Sequence, residues 1–94
     1  MQSLLMSFLK MFEIYLTSKV KKDLTGIPKT MISKIKNDIQ SLVDFPDLSN
    51  IKKLNNHPLA DFSLRTGNYR TLFDVDTDNK IIYILKIGHR KDIY

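Results

Sequence analysis

The chain has 94 residues, no cysteine, two histidines, and 15 Lys and Arg against 10 Asp and Glu, for a formal net charge of +5. That length supports one domain with one modest core and excludes a second. The missing cysteines exclude a disulfide framework and a thiolate metal site and fit a reducing, cytoplasmic setting, and two histidines alone make a poor metal centre. The basic balance favours polyanionic partners, nucleic acid being the commonest, although a merely soluble basic domain would carry the same charge.

Residues 1–10, MQSLLMSFLK, have no basic leader region and no apolar run long enough to span a bilayer, so they read as an extension ahead of a domain at 11–94, with no membrane partner. Phe12, Ile14 and Leu16 alternate with Glu13, Tyr15 and Thr17, which predicts a first strand. Thr17 or Ser18 can cap a short helix that turns Val20 and Leu24 inward and stops at Gly26 and Pro28. From Lys29 to Asp44 the apolar residues Met31, Ile32, Ile35, Ile39, Leu42 and Val43 fall on one helical face, leaving Lys29, Lys34 and Lys36 as a solvated one.

The segment 45–60 holds two prolines and three asparagines without a sustained period and reads as a loop, with room for a helical turn at 48–54. Its Lys52 and Lys53 serve either surface solubility or contact with a phosphate backbone. A second strand follows at 60–65, with Phe62 and Leu64 on one side and Asp61, Ser63 and Arg65 on the other. Thr66, Gly67 and Asn68 form a turn into a third strand, Tyr69 to Asp76, and Thr77, Asp78 and Asn79 form the next turn. The near-continuous apolar run from Lys80 to Ile87 predicts a central strand covered on both faces, after which Gly88 to Tyr94 leaves the sheet. The order β-α-α-β-β-β predicts an α+β domain with two helices on one face of a largely antiparallel four-stranded sheet. Arg65, Arg70 and the tail would meet on the uncovered face.

The combination Leu64-Arg65-x-Gly67-x-Tyr69-Arg70, then Asp74-x-Asp76, then Gly88-His89-Arg90-Lys91-Asp92-Ile93-Tyr94, resembles the RelE family of toxins from type II toxin–antitoxin systems, with a looser likeness over residues 12–94. The resemblance implies a ribosome-dependent messenger-RNA endonuclease without metal or other cofactor, cytoplasmic, and controlled by an antitoxin encoded beside it. Cleaving RNA without a metal requires a base for the 2′-OH proton, cations for the phosphorane-like charge and an acid for the leaving oxygen. Arginine suits the second task because its planar fork matches phosphate oxygens and stays charged.

Arg70 and Arg90 stand where the resembled family carries phosphate-contacting arginines, and Tyr94 matches a tyrosine that stacks on a base or helps move a proton. Alternation turns Arg65 toward the same cleft, and Lys52, Lys53 and Lys91 are candidate RNA contacts. For the arginines the bland alternative is a surface salt bridge to Asp61, Asp74 or Asp92; for Tyr94 it is an aromatic plug against the sheet. Some family members carry two lysines on the second strand, at positions that here are Asp61 and Ser63, so the general base is left open. His89 is the best substitute by type, since imidazole titrates near neutrality, and His57 reads as an ordinary loop residue. Two other functions remain: a ParE-like poison of DNA gyrase on the same scaffold, and a degenerate member that keeps only antitoxin binding.

Overall fold

The computed structural model describes residues 11–93, so the extension at 1–10 and the closing Tyr94 lie outside the described residues. Strand β1 (Glu13–Leu16) leads into helices α1 (Ser18–Thr25) and α2 (Lys29–Gln40) and a 3₁₀ turn at Ser41–Asp44. Strands β2 (Ile51–Lys53), β3 (Phe62–Thr66), β4 (Tyr69–Asp76) and β5 (Ile81–His89) follow, and a short helix α3 (Arg90–Ile93) closes the described chain. The sheet runs β1-β5-β4-β3-β2, with β1 parallel to β5 and the other neighbours antiparallel. The α+β class stands as expected, with the two helices over one face.

The sheet has five strands rather than four. The added strand, β2, lies in the segment expected to be loop, and its pairing with β3 supplies what its own sequence lacks. Three residues, Ile-Lys-Lys, are too few to display a period, and lysines on an edge strand also discourage pairing with another chain.

One core fills the space between helices and sheet. Val20, Ile35 and Leu42 meet Leu64, Phe73, Ile82 and Ile84, all fully buried, and Phe45 closes it through edge contacts to Phe62 and Phe73 at 5.2 and 6.0 Å. Thr17 occupies the N-cap of α1 but makes no capping bond; its hydroxyl donates to the Ile84 carbonyl at 2.9 Å, tying the end of β1 to β5. Strand β1 covers β5 only from Ile81 to Ile84. Beyond it, the Ile87 N–H donates to Asp23 Oδ2 at 3.0 Å, so the first helix satisfies an edge that would otherwise be left open.

A smaller cluster forms on the opposite face, where Ile93 of α3 packs with Ala60 and Leu72 and is flanked by Leu54 and Leu85. A register shift beside Leu72 and Phe73 leaves Leu85 as an extra residue on β5, and Leu85 joins this cluster. Gly88 permits the close approach of α3, since a Cβ there would lie 3.3 Å from Ile93 Cδ1. His57 does more than a loop residue need do. Its Nδ1 accepts the Leu59 N–H at 3.1 Å, which puts the ring hydrogen on Nε2, and Nε2 donates to the Ile93 carbonyl at 3.2 Å.

Candidate nucleic-acid interface

The site grows from the β3–β4 hairpin. Gly67 has φ 56° and Asn68 does not share the positive angle, the pattern of a two-residue type II′ turn that only glycine enters without strain. This turn pairs Thr66 with Tyr69 and therefore Arg65 directly with Arg70. Alternation places both arginines away from the helices, because Phe62 and Leu64 point into the core and Thr66 donates to Asp38 Oδ2 at 2.6 Å. Asn50 holds Arg65 from outside: its carbonyl accepts the Arg65 N–H at 2.9 Å and its side-chain amide donates to the Arg65 carbonyl at 3.1 Å.

Strand β2 then pairs Lys52 with Ser63, and Lys52, Ser63, Arg65, Arg70 and Asn50 line a hollow of about 280 Å³. Arg70 Nη1 donates to the carbonyls of Gly67 and Tyr69 at 2.8 and 3.0 Å, which anchors one end of the guanidinium and leaves its other N–H groups for a ligand. Among the described residues no carboxylate forms an ion pair with Arg65, Arg70 or Arg90. Asp74, one candidate partner, instead accepts the Asp61 N–H at 2.7 Å. Like charges directly opposite on neighbouring strands repel, and the Arg70 hydrogen bonds to the hairpin carbonyls offset that repulsion. An anionic ligand would turn the repulsion into binding.

His89 does not join them. It pairs with Tyr69 on the helix side of the sheet, ring centroids 5.5 Å apart, and lines a second hollow of about 490 Å³ with Met31, Lys34, Gly67, Asn68 and Tyr69. The expectation that His89 shares the cleft of Arg65 and Arg70 is corrected by strand alternation: Gly88, not His89, lies beside Arg70. Lys53 is likewise separated from Lys52, being paired with the core-facing Phe62. Arg90 is exposed and lines neither hollow, but its N–H donates to the Asn68 carbonyl at 2.8 Å, which fixes its backbone against the hairpin tip. Lys91 is exposed on α3, and its N–H donates to His89 Nδ1 at 3.2 Å. Tyr94, expected to stack on a base, is outside the described residues.

Sequence alone makes Asn50 part of a loop, Met31 core and Lys34 solvated helix face; the non-local pairings bring all three to the hairpin. No group of three or more His, Asp or Glu side chains among the described residues is placed to hold a metal ion, and no helix there is long and apolar enough to cross a membrane.

The sheet thus carries two helices on one face and, on the other, a cationic hollow whose arginines form no ion pair among the described residues. The family comparison supplies the class: a model described as the ParE toxin of type II toxin–antitoxin systems matches residues 14–94, and the chain belongs to this family, within the wider RelE and ParE group. Toxin RelG of Mycobacterium tuberculosis is 26% identical over 83 residues, which cover 88% of this chain and 95% of that protein. Putative toxin RelE1 of Methanocaldococcus jannaschii is 30% identical over 86 residues, 88% of this chain and 94% of that one. The crystal structure of the toxin–antitoxin complex RelBE2 from Mycobacterium tuberculosis contains a chain that superposes with a TM-score of 0.74 at 26% identity, covering 85% of this chain and 99% of that chain. The likeness to RelE read from the residues is therefore borne out.

Proposed function

We propose that this toxin is a messenger-RNA endonuclease acting on the translating ribosome in the cytoplasm, without a metal ion. The observation that carries the reading is the placement of Lys52, Arg65 and Arg70 around one hollow, with no ion pair to the arginines among the described residues. In the reaction, the ribose 2′-oxygen attacks the adjacent phosphorus and the P–O5′ bond breaks, giving a 2′,3′-cyclic phosphate and a 5′-hydroxyl. Arg70 and Arg65 meet the non-bridging oxygens as their charge grows, and the anchored guanidinium of Arg70 needs little reorganisation to do so. Lys52 presents an ammonium that can donate a proton to the leaving O5′, while the 2′-OH proton passes to water. This lysine comes from the strand beside Ser63 and stands in for the lysines that the chain lacks at Asp61 and Ser63. Arg90, Lys91 and Tyr94 add charge and a stacking surface from the tail. A hollow with so little acid–base equipment depends on the ribosome to orient the substrate, so activity on free RNA is weak.

The RelBE2 chain comes from a complex with its antitoxin, which supports a partner of the same kind here, encoded by the adjacent gene and covering the basic face with an acidic segment. The name of the matching family favours one other reading, a ParE-like gyrase poison. The test is to induce the chain with and without its neighbouring gene and to map new RNA 5′ ends on translated messages. Codon-phased ends support the nuclease. DNA damage with intact RNA transfers the function to gyrase, and neither effect leaves a degenerate member that only binds antitoxin.

A further inference from the structure

The hollow on the helix side of the hairpin is given no part in the cleavage step proposed above. We propose that it is a binding subsite for a nucleotide of the same single-stranded RNA, one that flanks the scissile linkage. The proposal rests on the nuclease reading above and extends it across the hairpin tip.

Four observations support it. The hollow, about 490 Å³, falls within the roughly 300–1,000 Å³ of small-ligand sites, a volume comparable to that of one nucleotide. Its lining is divided as a nucleotide is: the Met31 and Tyr69 side chains are apolar or aromatic, while Lys34, Asn68 and His89 offer donors, and no carboxylate is present. His89 is already oriented. Because Nδ1 accepts the Lys91 N–H, the ring hydrogen sits on Nε2, and Nε2 has no protein partner among the described residues. Finally, the wall between the hollows is only the Gly67–Asn68 turn. The Gly67 carbonyl accepts from Arg70 of the first hollow while Gly67 itself lines the second, and a Cβ at Gly67 would lie 3.7 Å from Met31 Cε, inside the space a nucleotide would use.

A strand held at Arg65 and Arg70 thus has a short path over the tip to a third cation at Lys34. An acidic protein segment would find only that one full charge, whereas a nucleotide uses the ring and the methionine as well.

The test uses the full chain and a fluorescein-labelled RNA of about 12 nucleotides, 2′-O-methylated to block attack, at roughly 50 mM salt to favour phosphate contacts. Binding is read by anisotropy, and amide and imidazole shifts by NMR. Lys34→Ala and His89→Gln should each weaken binding about three- to tenfold, and Lys34→Ala should lower the slope of log affinity against log salt by about one contact. RNA should shift the Asn68 amide and the His89 ring together with Arg65 and Arg70. Lys36→Ala, on the same helix but lining a different hollow, controls for general charge loss.

Unchanged affinity in the Lys34 and His89 variants, with Arg65→Ala and Arg70→Ala still impaired, overturns the subsite alone. Unchanged affinity in all four, or no binding by the wild-type chain, overturns the subsite, whereas the nuclease reading is decided separately by the presence or absence of codon-phased 5′ ends on translated messages. Variants that bind RNA normally but lose the antitoxin reassign the hollow to a protein partner and also overturn the proposal.

Discussion

Replacing Arg70 separates what that side chain does for the fold from what it does for chemistry. In Arg70→Ala the hairpin loses the hydrogen bonds from Nη1 to the Gly67 and Tyr69 carbonyls. Such bonds are worth about 0.5–1.5 kcal/mol each, less where water replaces them, and the relief of the Arg65–Arg70 opposition returns a few tenths. The net loss is about 1 kcal/mol, or a fall in Tm of roughly 4–8 °C, which leaves a domain of ordinary stability folded at assay temperature. Removing an oriented donor from a developing negative charge costs far more, about 10²–10³ in rate. Arg70→Lys keeps the charge but loses the fork, and should fall between, at about tenfold. Arg65, whose side chain makes no hydrogen bond within the described residues, should tolerate alanine within about 0.5 kcal/mol while losing about 10- to 100-fold in rate. If both arginines serve one phosphate, the double variant should lose less than the sum of the singles. The assay is single-turnover cleavage of a ribosome-bound message alongside a thermal melt. A folded Arg70→Ala protein that cuts within about threefold of wild type would refute the assignment.

Asp23→Ala should cost about 1–3 kcal/mol in urea unfolding, because the Ile87 N–H on a residue only 3% exposed is left without its acceptor, and amide exchange at Ile87 should accelerate. Unchanged exchange there would show that the bond contributes nothing. At the other end of the sheet, the Asn79 side-chain amide, and then the Asn79 backbone N–H, hold the Asp76 carboxyl below its usual range. The stabilisation is therefore present above the unfolded-state pKa near 3.8 and lost as pH falls through the lower folded value. Asp76→Asn should lose stability relative to wild type at neutral pH and converge with it in strong acid, as followed by pH-dependent melts; a constant difference across the range would refute the linkage.

The arginines were legible as flanking one turn, which the sequence predicts as Thr66, Gly67 and Asn68; Thr66 instead pairs with Tyr69, so only Gly67 and Asn68 form the loop and Arg65 directly faces Arg70. The helices were legible from the 3.6-residue spacing of their apolar residues, β5 from its near-continuous apolar run, and β4 from the turns on either side of it. Strand β2 was not, since a single isoleucine beside two lysines carries no period and its strand character comes from β3, a partner 11 residues further on (Ile51 to Phe62). That pairing also separates Lys52 from Lys53, neighbours that sequence alone treats alike. His89 belongs with the arginines in the sequence pattern, yet one step along β5 moves a side chain across the sheet, and the candidate went with it. The bonds of Asp23 to Ile87 and of His57 to Ile93 span 64 and 36 residues, distances over which composition is silent.

The parallel pairing of β1 with β5 has a consequence for the order in which this protein assembles. Glu13 must wait for Ile81, at the far end of the chain, before its strand has a neighbour, whereas the β3–β4 hairpin closes over two residues. Long closures are slow and come late, so β1 joins the sheet only after β5 is in place, while the hairpin can close on its own. A chain truncated before Ile81 would leave both β1 and β4 without the neighbour they share, and it should show no cooperative thermal melt.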